Sequence, residues 1–304
     1  MVQIIDVSII IVNYNTLHVI GPCIDSIVSM TKGINYEIIV VDNGSTDGSA
    51  ETLSKNSRIT WVPTGENLGF GKANNIGLEK AKGDYIFFLN SDTILRNNAI
   101  KMLYDFAVHY EGRLGALGCI LENREERAIH SYGQFPRMRN DFSKYVVTPI
   151  RKAFHLYHEP APVLPDNYML VDYVTGADLF VKHDVLKACG AFHPAFFMYF
   201  EESEMEFRFA QKGYDNILLR GPRIVHLEGE GGKDGQSSKF LRDCLRQQKS
   251  EYIYYKLTRP KWKYYLYRMV HPVLRQTLWL NPHVSIGDKW AVCKQLFVKT
   301  NIKQ

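Results

Sequence analysis

Three short apolar runs each end in side chains suited to a phosphorylated ligand. Val7–Val12 leads into Asn13-Tyr14-Asn15, Glu37–Val41 into Asp42-Asn43, and Ile86–Leu89 into Asn90-Ser91-Asp92. In open α/β sheets, ligands bind beyond the carboxyl ends of the strands. Asn and Asp that merely cap the following helices would explain each ending alone, but explain the coincidence of all three poorly. Asp92 could offer a strand-end carboxylate to a divalent cation that also binds phosphate. One carboxylate is a poor metal site, and His226, closing the run Ile224-Val225, could supply a second ligand. The ordinary alternative for His226 is a satisfied core or surface histidine.

A second acidic group follows the aromatic run Phe196-Phe197-Met198-Tyr199-Phe200. Glu201, Glu202, Glu204 and Glu206 stand there together. Carboxylates suit the positive end of a helix dipole, so a solvated helix start is one reading. Carboxylates beside apolar rings also gain proton affinity and can serve as general bases, and composition leaves the two readings level.

Other chemistries are excluded more easily. A dinucleotide fold needs G-x-G-x-x-G directly after its first strand, where Asn13-Tyr14-Asn15-Thr16 offers no glycine, and Gly69-Phe70-Gly71 runs into Asn74. No phosphate loop with Gly-Lys-Ser/Thr is present. The five cysteines (Cys23, Cys119, Cys189, Cys244, Cys293) form no C-x-x-C pair, which speaks against a zinc ribbon or disulfide framework and suits a reducing cytoplasm. Met1–Val12 lacks the basic start of a signal peptide, and no run approaches the ~20 apolar residues that span a bilayer. The expectation is a cytoplasmic protein, with peripheral attachment to the cytoplasmic face of the membrane as an extension of it.

These residues need a scaffold, and the pattern predicts one. The first ~110 residues alternate strand-like and helix-like segments, the sign of a parallel sheet with crossover helices. Strands are expected over Val7–Asn13, Glu37–Asp42, Ile59–Pro63, Tyr85–Asn90 and Leu114–Ile120, with helices over Leu17–Met30, Phe70–Ala81 and Asn97–His109. Residues 121–170 show no period and read as an irregular insertion near an acceptor site. A strand over Tyr173–Val181 and a short helix to Cys189 follow. A helix over Ser203–Lys212 comes next, with Ser203 and Glu206 as a capping box and Gly213 as the stop. Ile217–Leu219 and Arg223–His226 read as two further strands, and the chain from Ser237 onward as helical.

Charge divides the chain. Residues 239–304 carry 14 Lys and Arg against Asp243, Glu251 and Asp288, a net +11, while the whole chain carries +5. In the same stretch Tyr252, Tyr254, Tyr255, Trp262, Tyr264, Tyr265, Tyr267 and Trp279 interleave with the cations. Interfacial helices combine such residues, so an anionic membrane surface is an expected partner of 239–304. A basic helical subdomain or a homodimer interface would use the same composition. Nucleic acid is not expected, because the acidic body would repel phosphates.

Several blocks, in order, resemble family 2 glycosyltransferases. They are Val7–Asn15, Ile39–Ser49 with Asp42-Asn43-Gly44-Ser45, Glu66-Asn67-Leu68-Gly69-Phe70-Gly71-Lys72-Ala73-Asn74-Asn75, and Leu89-Asn90-Ser91-Asp92 as a form of the D-x-D motif. Phe200–Arg208 is similar to the family's acidic base motif in its rhamnosyltransferase-type branch, with Gly213-Tyr214 following. The blocks run over about residues 7–230. The resemblance implies the α/β GT-A fold, a Rossmann-like and mostly parallel sheet flanked by helices, over 1–236. Its nucleotide-sugar half would take about 1–120 and its acceptor half about 121–236, with a helical C-terminal extension over 237–304. It further implies that Asn13 and Asp42 contact the base and ribose of a nucleotide diphosphate sugar, and that Asn67 and Asn74 lie near the nucleotide and sugar. Asn15, Asn90 and Ser91 join the nucleotide-sugar group, while Asp92 and His226 would hold Mn²⁺ or Mg²⁺ on the diphosphate. Glu202 aligns with the catalytic base and Glu201 is its neighbour. The family usually carries Asp at the positions of Glu202 and Glu204, so both side chains here are one methylene longer. The implied activity is metal-dependent, inverting transfer of a sugar to a glycan or lipid-linked oligosaccharide, best matched by dTDP-rhamnose in bacterial cell-surface polysaccharide assembly. UDP-galactose or UDP-N-acetylglucosamine as donor, or a catalytically idle sugar-nucleotide binder, are the alternatives.

Overall fold

A computed structural model of the protein describes residues 4–153, 166–227, 236–275, 279 and 284–296. Parts of the expected 121–170 insertion and of the basic tail fall outside these residues. Eleven strands and eleven helices are described, in the order β1 (Val7–Asn13), α1 (Leu17–Met30), β2 (Tyr36–Asp42), α2 (Ser49–Leu53), β3 (Thr60–Pro63), α3 (Phe70–Leu78), β4 (Tyr85–Asn90), β5 (Thr93–Leu95), α4 (Ala99–His109), β6 (Leu114–Glu122) and β7 (Tyr132–Gly133). Then come α5 (Met138–Phe142), a π-helical turn at Ser143–Val147, α6 (Thr148–Ala153), β8 (Tyr168–Leu170), β9 (Tyr173–Val174), β10 (Asp178–Lys182), α7 (His183–Cys189), α8 (Glu201–Gln211), β11 (Asp215–His226), α9 (Gln236–Thr258), α10 (Lys261–Leu274) and α11 (Ile286–Leu296). The described residues form two compact units. One holds residues up to Gln134 with 166–194 and 202–227, and the other holds 135–153, 195–201 and the residues from Gln236.

The first unit is built on one sheet in the order β3-β2-β1-β4-β10-β6-β11-β5, with β8 also on β11. The β3-β2-β1-β4 half is parallel, as the alternating pattern requires. Beyond it β10 runs antiparallel to both neighbours, β6 and β11 are parallel, and β5 and β8 run antiparallel to β11. Strand alternation feeds two cores. Ile9, Ile11, Ile38, Val40, Phe87 and Leu89 pack with Ile20, Ile24 and Ile27 of α1 and Leu103 of α4. Ile10, Ile39, Val41, Ile86 and Phe88 pack on the opposite face with Ala73 of α3, Leu186 of α7, and Met205 and Phe209 of α8. A sheet buried on both faces explains why these strands read as unbroken apolar runs.

Four local expectations need correction. The Tyr173–Val181 strand is two strands, interrupted at Thr175-Gly176-Ala177, and Asn90 N–H donates to Ala177 O at 3.0 Å. Ile217–Leu219 and Arg223–His226 are one strand, β11, whose register on β6 shifts between Leu219 and Ile224, around Gly221-Pro222. A bulge accommodates a proline that has no N–H to give the ladder. Residues 138–153 are helical through the π turn, and segments of five or six residues are too short to show a period. Helix α8 begins at Glu201, two residues before the expected cap, so Ser203 lies inside its first turn. Tyr199 and Phe200, with φ of 72° and 68°, turn the chain into the helix. Left-handed backbone at two non-glycine residues is costly, and sequence patterns do not announce it. The stop at Gly213 is as expected, since Gly213 N–H bonds Ala210 O and Tyr214 N–H bonds Phe209 O.

In the second unit α9 buries Tyr252, Ile253, Tyr254 and Tyr255 with Phe196, Tyr267, Cys293 and Leu296. Tyr255 stacks on Tyr267 at 3.7 Å between ring centroids, and His271 Nδ1 lies 2.8 Å from Tyr252 Oη. Half of the aromatics expected at an interface are therefore core residues. Among the described residues no helix is long and apolar enough to cross a membrane.

Candidate active site

Parallel pairing puts the ends of β1, β2 and β4 side by side, with Asn13 opposite Asp42 and Val12 opposite Asn90. Asn13 is buried and links the three ends. Its Nδ2 donates to Asp42 Oδ1 at 2.9 Å and to Ser45 Oγ at 3.0 Å. Its Oδ1 accepts the Thr16 hydroxyl at 2.7 Å, and Thr16 Oγ1 lies 3.0 Å from Ser91 Oγ. The amide thus fixes the direction of the Asp42 carboxylate. Asn15, with φ of 56°, accepts Thr46 N–H on its side chain and so ties the loop after β1 to the loop after β2.

A second ring of amides joins the Glu66–Gly69 turn to this floor. Asn43 Nδ2 donates to Asn67 Oδ1 at 3.1 Å, Asn43 Oδ1 accepts Leu68 N–H at 2.9 Å, and Asn67 Oδ1 also accepts Gly69 N–H at 3.0 Å. Gly44 makes the approach possible, because a Cβ there would stand 2.7 Å from the Glu66 carbonyl carbon. Asn74 is not drawn into this ring. Its Nδ2 turns back to Phe70 O at 3.1 Å within α3.

The two candidate metal ligands meet. His226 Nε2 lies 3.2 Å from Asp92 Oδ1 and 3.3 Å from Asn90 Nδ2. Strand β5 brings them together, pairing Thr93 with His226, and Leu227 N–H donates to Asp92 O at 2.9 Å. One ring nitrogen cannot donate to Asp92 and accept from Asn90 at once. A cation would take lone pairs from both Nε2 and Oδ1, so the pair offers a divalent metal one nitrogen and one oxygen ligand. Among the described residues no group of three or more His, Cys, Asp or Glu side chains is placed to hold a metal ion.

Carboxylates border this edge from α8 and β10. Glu202 Cβ lies 3.8 Å from where a Cβ on Gly176 would stand, next to the Ala177 carbonyl that holds Asn90. Burial pushes its carboxyl up to about 7. Glu206, one turn on, is buried, accepts Val174 N–H on Oε2 at 2.9 Å, and its pKa is raised well above the usual range by burial, with Glu202 and Asp178 adding repulsion. Asp178 is buried too and accepts Cys119 N–H at 2.6 Å. Burial pushes it up to about 7 against the pull of that N–H and of His226. Sequence reasoning missed Asp178 and read Glu206 as one of an acidic group and as half of a capping box. The available signal was a single acid opening the apolar run Leu179-Phe180-Val181. Glu204 pairs with Arg208 at 2.9 Å, and Arg208 also donates to the carbonyls of Gly190 and Ala191, which makes Glu204 a structural residue. Glu201 is buried and is grouped with the second unit.

Residues 8–158 match the model of the family described as glycosyl transferase family 2. Two glycosyltransferases of Streptococcus pneumoniae, GlyA and GlyG, are each 35% identical to the chain, over 109 and 102 residues. The matches cover 34% and 32% of this chain but 15% of GlyA and 34% of GlyG, so the chain accounts for about a third of GlyG and less of GlyA. The N-acetylglucosaminyl-diphospho-decaprenol L-rhamnosyltransferase of Mycobacterium tuberculosis is 24% identical over 71% of this chain and 73% of its own length. The crystal structure of GalNAc-T7 with UDP, GalNAc and Mn²⁺ superposes with a TM-score of 0.65 at 14% identity, over 99% of this chain and 56% of the other, which shows the GT-A fold. The chain belongs to glycosyltransferase family 2.

Proposed function

We propose that the chain transfers a sugar from a nucleotide diphosphate donor to a hydroxyl of a glycan or lipid-linked glycan, with inversion at the anomeric carbon. The observation that carries this reading is the meeting of Asp92 with His226 at the sheet edge that also presents Asn13 and Asp42. Asp42, held by Asn13, would face the ribose or base, and the Asn43–Asn67 ring would shape the wall beside it. Asp92 and His226 would hold Mn²⁺ or Mg²⁺, which when bound neutralises charge on the departing diphosphate. Glu202 is the base. Its raised proton affinity suits it to take the acceptor hydroxyl proton near neutral pH. The acceptor oxygen then bonds to the anomeric carbon as the bond to the diphosphate oxygen breaks. The proton stays on Glu202 and the nucleoside diphosphate leaves.

The donor best supported is dTDP-rhamnose, through similarity to the mycobacterial rhamnosyltransferase over most of both chains. That relative's name describes a lipid-linked acceptor, which supports a place in bacterial surface polysaccharide assembly. The deciding experiment measures thermal stabilisation by dTDP-rhamnose, UDP-galactose and UDP-N-acetylglucosamine with and without Mn²⁺, then nucleoside diphosphate release with a lipid-linked acceptor. Stabilisation by dTDP-rhamnose alone with acceptor-dependent release supports the reading. A larger effect of a UDP-sugar moves the donor, and no release from any donor overturns the activity.

A further inference from the structure

Helix α10 has two apolar faces, and a helix packed on a globule needs one. Its inward face supplies Tyr267, His271 and Leu274 to the buried core of the second unit. Its outward face carries Trp262 (63% exposed), Tyr265 (63%), Met269 (70%) and Val273 (69%), with Leu266 beside them. At about 100° per residue these five fall within an arc of roughly 100°, so they form one continuous stripe along the helix. Exposed large side chains scattered singly mean little, but an aligned stripe does.

The stripe has a charged border. Lys261 and Lys263 are exposed at its start, Lys263 Nζ lies 5.3 Å from the Trp262 ring, and no acidic residue occurs between Lys261 and Arg275. Arg268 lies along the side and covers the Tyr252 ring at 4.1 Å. Long cationic side chains can lie along apolar matter with their charged ends in a polar layer. The surrounding sequence adds to this sign, since residues 239–304 sum to +11. In the same unit Ile286 and Trp290, one turn apart on α11, are also exposed.

We propose that the outward face of α10 lies in the headgroup region of an anionic lipid bilayer, with Trp262, Leu266, Met269 and Val273 inserted and Lys261 and Lys263 at the phosphates. A second protein copy would meet the same stripe with the same positive charge, which disfavours it, whereas an anionic surface complements both parts. The inference stands apart from the sugar-transfer reading, because its readout is lipid binding.

The test uses the full chain and vesicles of phosphatidylcholine alone or with phosphatidylglycerol, followed by sedimentation at low and high salt. Binding to the anionic vesicles only, weakened by salt, is expected. Burying a large apolar side chain changes partition by roughly a factor of ten or more, so Met269→Glu and Val273→Glu should each weaken binding about tenfold. Replacing Lys261 or Lys263 by Gln should cost roughly fivefold each, and these exposed changes keep the fold. Met30→Glu, an exposed methionine on α1, is the control and should bind as the wild type. Thermal stabilisation by the donor should be the same in all variants, so a failure here is distinct from a failure of the transferase reading. Absence of vesicle binding by the wild type, or equal binding by Met269→Glu, overturns the proposal. So does a dimer in sedimentation velocity that Met269→Glu dissolves while vesicles are ignored, which would assign the stripe to a second copy.

Discussion

His226 Nε2 stands 3.2 Å from Asp92 Oδ1, although one residue closes β11 and the other follows β4. The pair is held by backbone on both sides, through the Thr93–His226 pairing and the Leu227 N–H bond to Asp92 O. Asp92→Asn keeps the shape and removes the charge. It should abolish the enhancement of nucleoside diphosphate binding by Mn²⁺, and His226→Ala should weaken it by at least about tenfold. Calorimetric titration with and without Mn²⁺ checks both, and unchanged enhancement in the two variants would sink the metal assignment.

Glu202 gives a prediction in pH. Its carboxyl is raised to about 7 by burial, and a base works only when ionised. Turnover should therefore climb as pH rises through about 7, well above the range of an ordinary glutamate. Glu202→Gln should lower kcat by about 10²–10⁴-fold and leave donor affinity within a few-fold. Glu204→Gln should leave kcat nearly unchanged and lower the melting temperature, because it loosens the Arg208 pair. Steady-state rates over pH, with donor titration and melting curves, test both. Normal turnover in Glu202→Gln with collapse in Glu204→Gln would move the base.

The strand ends were legible because a sheet buried on both faces leaves long apolar runs, and because Asn13, Asp42 and Asp92 stand where those runs stop. The start of α8 was not. A Ser-x-x-Glu pattern is what a capping box looks like, yet Tyr199 and Phe200 adopt left-handed backbone and begin the helix two residues earlier. That choice moves Glu202 from before the cap into the first turn. Asp178 itself, and the burial of Glu206, were hidden for another reason. Periodicity treats an acid as a surface residue, and here packing buries both beneath the site, where one backbone N–H each partly offsets the lost water.

Gly77 sets the distance between α3 and the sheet. A Cβ there would stand 2.5 Å from Ile10 Cγ2 and 3.0 Å from Val41 Cγ2. Alanine gains about 1 kcal/mol in helix propensity, but overpacking a well-filled core typically costs about 1–3 kcal/mol. Both neighbours sit in strands locked on both sides, so the steric cost should win and Gly77→Ala should be destabilised by about 1 kcal/mol. Urea unfolding measures it, and equal or greater stability would show that the helix can retreat from the sheet.

Glu206 supplies the last prediction, in stability. Its pKa in the folded chain is raised well above the model-compound value of 4.5, first by burial and then by repulsion from Glu202 and Asp178. The groups facing it are Glu202 on its own helix, Tyr173 on β9 and Asp178 on β10. A raised carboxyl favours the folded state fully only below its unfolded value. As pH rises above about 4.5 the unfolded chain releases this proton and the folded chain keeps it, so stability declines up to the folded value. Glu206→Gln removes the titration, and its amide oxygen can still accept the Val174 N–H. The variant should match the wild type near pH 4 and become progressively more stable than it between about pH 5 and 8. Glu202 and Asp178 titrate in both proteins, so the difference isolates Glu206. The acid limb of kcat should stay in place, because burial is what raises Glu202. Melting temperatures of both proteins across this range are the measurement. A difference that does not grow with pH, or a variant less stable at pH 8, would mean that Glu206 is ionised in the folded chain and held by a partner.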